Sequence, residues 1–72
     1  MKQATRFFVL EDLEWKCIYD VDIFIPNLHR GTPFYYKGKY HFVKFVEVKV
    51  TEDGYIVQDI FLKSRNNDNS QV

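Results

Sequence analysis

Hydrophobic alternation with a period near two, a heavy aromatic load and isolated turn glycines together predict an all-β domain for this 72-residue chain. The expected architecture is a small five-stranded antiparallel barrel of the SH3-like or OB-like kind, or a rolled sheet, with at most one short helical turn. Phe, Tyr and Trp make up 18% of the residues, a load suited to flat rings packing on pleated surfaces.

The first expected strand is Thr5 to Leu10, followed at once by Glu11-Asp12-Leu13-Glu14, which could form the helical turn. A long second strand runs from Glu14 to Ile25. Trp15, Cys17, Tyr19, Val21, Ile23 and Ile25 fall on one face, and Lys16, Ile18, Asp20, Asp22 and Phe24 on the other. Pro26 ends it, because proline cannot donate to a ladder, and Asn27 to Gly31 is a turn segment.

Thr32 to Tyr36 is a short strand, and Lys37-Gly38 a two-residue hairpin loop whose glycine supplies positive φ. Lys39 to Val50 is the longest strand. It places Tyr40, Phe42, Lys44, Val46, Val48 and Val50 opposite His41, Val43, Phe45, Glu47 and Lys49. Thr51-Glu52-Asp53-Gly54 is the strongest turn signal in the chain. Tyr55 to Lys63 returns as a strand, with Tyr55, Val57 and Phe61 on one face and Ile56, Gln58, Ile60 and Leu62 on the other. Residues 1–63 are thus expected to form one domain, and the polar residues 64–72 a disordered tail.

A chain this short buries only about 60% of the surface that it exposes when unfolded, so its core is thin. Cys17 is the only cysteine, which rules out an internal disulfide and fits a reducing compartment. The apolar run Phe7 to Leu10 is too short for a signal-peptide core or a membrane span. The expected location is the cytoplasm, or a host's cytoplasm if the chain is phage-encoded. Formal net charge is zero. Arg30, Lys37, Lys39, Lys44 and Lys49 nonetheless stand against Glu47 alone between residues 26 and 50, with acidic flanks on both sides.

Catalytic patterns are scarce. The only serines, Ser64 and Ser70, lie in the expected tail, and Gly31, Gly38 and Gly54 form no phosphate loop. Cys17, between Trp15 and Tyr19, fits a small buried core residue better than a nucleophile. Asp20 and Asp22 share a face but lack an assignable third ligand, and His29, His41 and Cys17 have no metal-ligand spacing. No enzyme, cofactor or metal site is expected.

Two binding signals remain. The run Phe34-Tyr35-Tyr36-Lys37-Gly38-Lys39-Tyr40-His41-Phe42 interleaves rings with cations, the mixture that binds single-stranded nucleic acid. On a hairpin, however, half of these rings must point inward. The second signal is large apolar groups on both faces of three strands: Ile18 and Phe24, then Val43 and Phe45, then Ile56, Ile60 and Leu62. One sheet of a lone small chain has a single buried face, so a second buried surface is expected, against a partner or an identical subunit.

The candidate binding residues are Phe24, Arg30, Tyr35, Tyr36, Lys37, Lys39, Tyr40, Lys44 and Phe45, with Arg30, Lys37, Lys39 and Lys44 steering an acidic target. The expected function is a non-enzymatic, self-associating protein-interaction module, with a small nucleic-acid-binding barrel as the alternative and no membrane partner. The order of Gly31, short strand, Lys37-Gly38, long strand, turn and strand resembles small barrel adaptors of phage and mobile-element genomes. That resemblance implies a binding role, such as adapting or inhibiting a host protein, and carries no functional residue with it.

Overall fold

A computed structural model describes residues 2–64. The disordered tail is expected to begin at Ser64, but Ser64 is the last residue of the final strand, paired with His41; residues 65–72 lie outside the described residues. Five strands follow in chain order: β1 Gln3–Glu11, β2 Glu14–Val21, β3 Pro33–Tyr36, β4 Lys39–Val50 and β5 Ile56–Ser64, with no helix among them. They form one curled half-barrel sheet in the order β2-β1-β5-β4-β3.

Local chemistry sets the turns. Lys37 (φ 48°) and Gly38 (φ 81°) both adopt left-handed backbone, the requirement of a two-residue type I′ hairpin between β3 and β4. At Thr51–Gly54, the Gly54 N–H donates to the Thr51 carbonyl (3.0 Å) and the Thr51 N–H to the Tyr55 carbonyl (2.8 Å). The Thr51 hydroxyl is also bonded to the Asp53 carboxylate, and this bond holds the Asp53 carboxyl below its usual range. The expected helical turn after β1 is instead a third tight hairpin. Asp12 (φ 53°) and Leu13 (φ 68°) occupy its two left-handed positions without any glycine.

The sheet is mixed, which corrects the purely antiparallel expectation. β1 runs antiparallel to β2 but parallel to β5, with Phe7 opposite Ile60 and Phe8 opposite Phe61. The reason lies between β2 and β3. Residues 22–32 are irregular, so β2 stops at Val21 rather than continuing to Ile25. Three bonds tie the start of this segment down. The Thr5 hydroxyl donates to the Ile23 carbonyl (2.7 Å), the Phe24 N–H to Gln3 Oε1 (3.3 Å) and the Ile25 N–H to Gln58 Oε1 (3.2 Å). Thus anchored, it carries the chain from one sheet edge to the other, and β1 rather than β2 meets the meander.

β2 and β3 are therefore the two edges. Their side chains meet across the hollow through Tyr19 and Tyr36, whose ring centroids lie 5.6 Å apart. The concave core is small: Phe7, Val43, Ile60 and Leu62 are buried, with Val9, Ile18, Ile25, Leu28, Phe34 and Val46 packed against them. Phe7 stacks on Phe34 at 4.3 Å, which joins β1 to β3 across the interior.

Two bulges reset the faces. Phe7 pairs with Tyr19 but Phe8 with Cys17, so Ile18 is an extra residue in β2. Val43 pairs with Leu62 but Phe45 with Phe61, so Lys44 is an extra residue in β4. Each insertion reverses the alternation beyond it. Trp15 and Cys17 consequently lie on the face opposite to Tyr19 and Val21. Tyr40 and Phe42 share a face with Phe45, Glu47 and Lys49, while His41 and Val43 share the inner face with Val46 and Val48. The single stripes expected on β2 and β4 are each split in this way, whereas β5, which has no bulge, keeps its expected alternation.

Candidate docking face

The registers place outward side chains in rows that cross the strands. One row reads Cys17, Phe8, Phe61, Phe45 from β2 through β1 and β5 to β4. Its rings touch: Phe8 stacks on Phe61 at 5.2 Å and Phe45 on Phe61 at 4.5 Å. Trp15 sets its edge against Phe61 at 5.0 Å. These rings lie on the face turned away from the core. Phe45 remains 46% exposed and Trp15 37%, with Leu10 exposed beside Trp15. Exposed rings in a contiguous group, rather than scattered singly, mark an interaction surface.

The neighbouring row toward the β1 N-terminus reads Asp20, Arg6, Asp59, Glu47. Asp59 is 1% exposed although it stands on the outer face. Arg6 covers it with a two-pronged bond, Nε to Oδ1 at 2.8 Å and the second guanidinium nitrogen to Oδ2 at 2.9 Å, and Lys49 Nζ adds a contact at 3.1 Å. Burial alone would raise the Asp59 carboxyl, but the bonds from Arg6 and Lys49 outweigh it and hold it below the usual range. The same pairing raises the Arg6 guanidinium above its ordinary value. Lys49 also reaches Glu47 at 3.7 Å. Two cations thus serve three carboxylates, and this side of the ring row is net acidic.

The opposite side is basic. Lys63 pairs across with Phe42, and Lys44 projects from its bulge with Nζ 5.9 Å from the Trp15 ring. Arg30 joins them around an open hollow of about 450 Å³ that also includes Gly31, Phe42 and Ser64. Arg30, Lys44 and Lys63 form no ion pair with a carboxylate among the described residues. The face is therefore an apolar aromatic row with acid along one flank and base along the other.

The aromatic hairpin divides as alternation requires. Tyr35 and Tyr40 face outward, with centroids 4.7 Å apart, while Phe34, Tyr36 and His41 turn into the hollow. Lys37 lies over the Tyr36 ring and Lys39 beside it at the mouth of a second cleft, about 280 Å³, lined also by Val9, Ile18 and His41. His41 is 6% exposed and its Nδ1 has no hydrogen-bond partner among the described residues. Burial first, and then the charge of Lys39, lower its pKa.

Of the residues singled out from sequence, Arg30, Lys44 and Phe45 come together at the aromatic row. Tyr35 and Tyr40 lie beyond it on the same face. Tyr36, Lys37 and Lys39 belong to the cleft instead. Phe24 sits at the far end of the sheet, bonded to Gln3, and joins neither group. Cys17 is exposed on the outer face rather than buried, because the Ile18 bulge turns it away from the core. Phe8, Phe61, Trp15, Arg6 and Asp59 complete the face and were not singled out. Their apolar and charged character was visible, but their grouping depends on the parallel β1–β5 register and on the two bulges.

No three His, Cys, Asp or Glu side chains among the described residues gather where they could hold a metal ion. No helix among the described residues is long and apolar enough to cross a membrane. Compared with models of protein families, with curated proteins and with solved structures, the chain has no significant match.

Proposed function

We propose that this chain is a non-enzymatic protein-docking module whose contact surface is the outer aromatic row. The observation that carries this reading is the ring group Phe8, Phe61, Phe45 and Trp15, assembled outside a core that is already served by the opposite face. A protein interface is centred on such rings, with charge at its rim. Docking would remove Phe45, Trp15 and Leu10 from water, and the flanking charges would set orientation and exclude wrong partners.

The test is capture by the tagged chain from its native cell after nuclease treatment, in parallel with the Phe45→Asp variant. A defined protein, or untagged copies of the chain itself, held by the wild type and lost with the variant supports the reading. The same set of proteins held by both refutes it.

A second reading rests on the corner formed by Arg30, Lys44 and Lys63 beside Trp15 and Phe45. Bases stacked on those rings with phosphates on those cations would make a single-stranded nucleic-acid surface. Retention of a 15-nucleotide oligothymidine at low salt, falling steeply as salt rises, would favour this reading over the first. Arg6 and Lys49 count against it, since both are occupied by carboxylates on the same face.

A further inference from the structure

From the charge pattern across the docking face, we infer that its occupant is a second copy of this chain, packed face to face about a two-fold axis that runs along the ring row. This inference rests on the docking reading and specifies its partner.

The outer face has three parallel bands: Asp20, Asp59 and Glu47 with their two cations, then the rings, then Lys44, Lys63 and Arg30. A two-fold axis lying in the interface along the rings leaves each strand opposite its own copy but reverses strand direction. Phe61 then meets the partner's Phe61, and Phe45 the partner's Phe45. The acidic band of each copy falls on the basic band of the other, which sets the exposed Glu47 opposite the partner's Lys44. The symmetry repeats every contact twice. An axis along the strands would instead set acid against acid and base against base, and like charges across an interface are strongly disfavoured. The zero formal charge of the chain removes long-range repulsion between copies.

Area sets the strength. Four strands spaced about 4.8 Å apart and three bands of side chains span a patch roughly 20 Å square, so each copy contributes on the order of 400 Å². The outer side of a curled sheet is convex, which confines contact to this patch. That is below a standard interface of about 800 Å² per partner, so the contact belongs with weak, transient interfaces.

Sedimentation equilibrium of the full chain, from about 5 µM to about 1 mM, reads the association. Glu47→Lys and Lys44→Glu each place like charges at both symmetric contacts. Each is expected to raise the dissociation constant at least about tenfold. The double variant restores opposite charges and is expected to return to within about threefold of the wild type. An equimolar mixture of the two single variants is expected to form a heterodimer that neither forms with itself. Both positions are exposed, and circular dichroism confirms that each variant folds.

A wild type that stays monomeric throughout overturns the inference, and so does a double variant as weak as the singles. A monomeric wild type whose capture of another protein is still lost with Phe45→Asp overturns the second copy but spares the docking face. A monomer that retains oligothymidine and loses it with Lys44→Glu overturns both in favour of nucleic acid.

Discussion

Replacing Asp59 with asparagine should cost about 2–3 kcal/mol of folding stability. The substitution keeps the shape of the side chain but removes the charge on which Arg6 and Lys49 converge. Breaking a buried ion pair by deleting one partner costs about 3–5 kcal/mol when the other charge is left stranded. Here the survivors are not fully stranded, since the Arg6 side chain is 41% and that of Lys49 50% exposed, and water rescreens them. That lowers the expected loss to the stated range. Urea unfolding followed by far-ultraviolet circular dichroism measures it. With a slope of about 1 kcal/mol per molar urea, the midpoint should fall by about 2 M or more with an unchanged slope. The pH dependence provides a second readout. The folded Asp59 carboxyl lies below its reference value of 3.8, so its stabilisation is complete above that pH and is lost as pH falls through the folded value. The asparagine variant should therefore lose less stability than the wild type on acidification below about pH 4. A loss under about 0.5 kcal/mol, the ordinary range for a surface change, would refute the claim that this carboxylate is a structural centre of the outer face.

Three further outcomes are expected. Phe7→Ala empties the centre of a four-residue core and should cost about 3–5 kcal/mol, read as a large drop in melting temperature or as failure to fold. Leu13→Gly should stabilise by about 1 kcal/mol, or about 4–8 °C by calorimetry, because Leu13 is 93% exposed and held at φ 68° where glycine is unstrained. His41→Phe removes a buried Nδ1 that has no partner among the described residues, next to Phe34, and should raise the urea midpoint at neutral pH. The folded pKa of His41 lies below 6.5, so the wild type loses stability as pH falls from that value through the folded one, and the variant should not share this loss.

The particular residues explain what could be read in advance. Gly38 and Gly54 occupy left-handed positions, so the hairpins that they close were legible, and with them the β3–β4–β5 meander. Asp12-Leu13 adopts the same geometry without glycine, so no local signal distinguished a tight turn from a helical one there. The face assignment of β5 is as expected, since it has no bulge, but those of β2 and β4 are not. A single extra residue, Ile18 or Lys44, reverses every side chain beyond it, and alternation counted along the chain does not register the insertion. The parallel β1–β5 pairing joins segments more than 50 residues apart and has no turn to signal it. Apolar residues on both faces were legible and fit the exposed rings of the outer face. Which rings form the row was not, because Phe8 and Phe61 become neighbours only through that long-range register.

A dilution series of proton–nitrogen correlation spectra, from about 1 mM to about 20 µM, tests self-association through the docking face most directly. The account predicts concentration-dependent shifts grouped at Phe8, Lys44, Phe45, Glu47, Phe61 and Lys63, with Tyr19, Tyr36 and Lys37 at the edge-to-edge seam unmoved. Spectra that do not change over this range, or changes grouped at that seam, would contradict it.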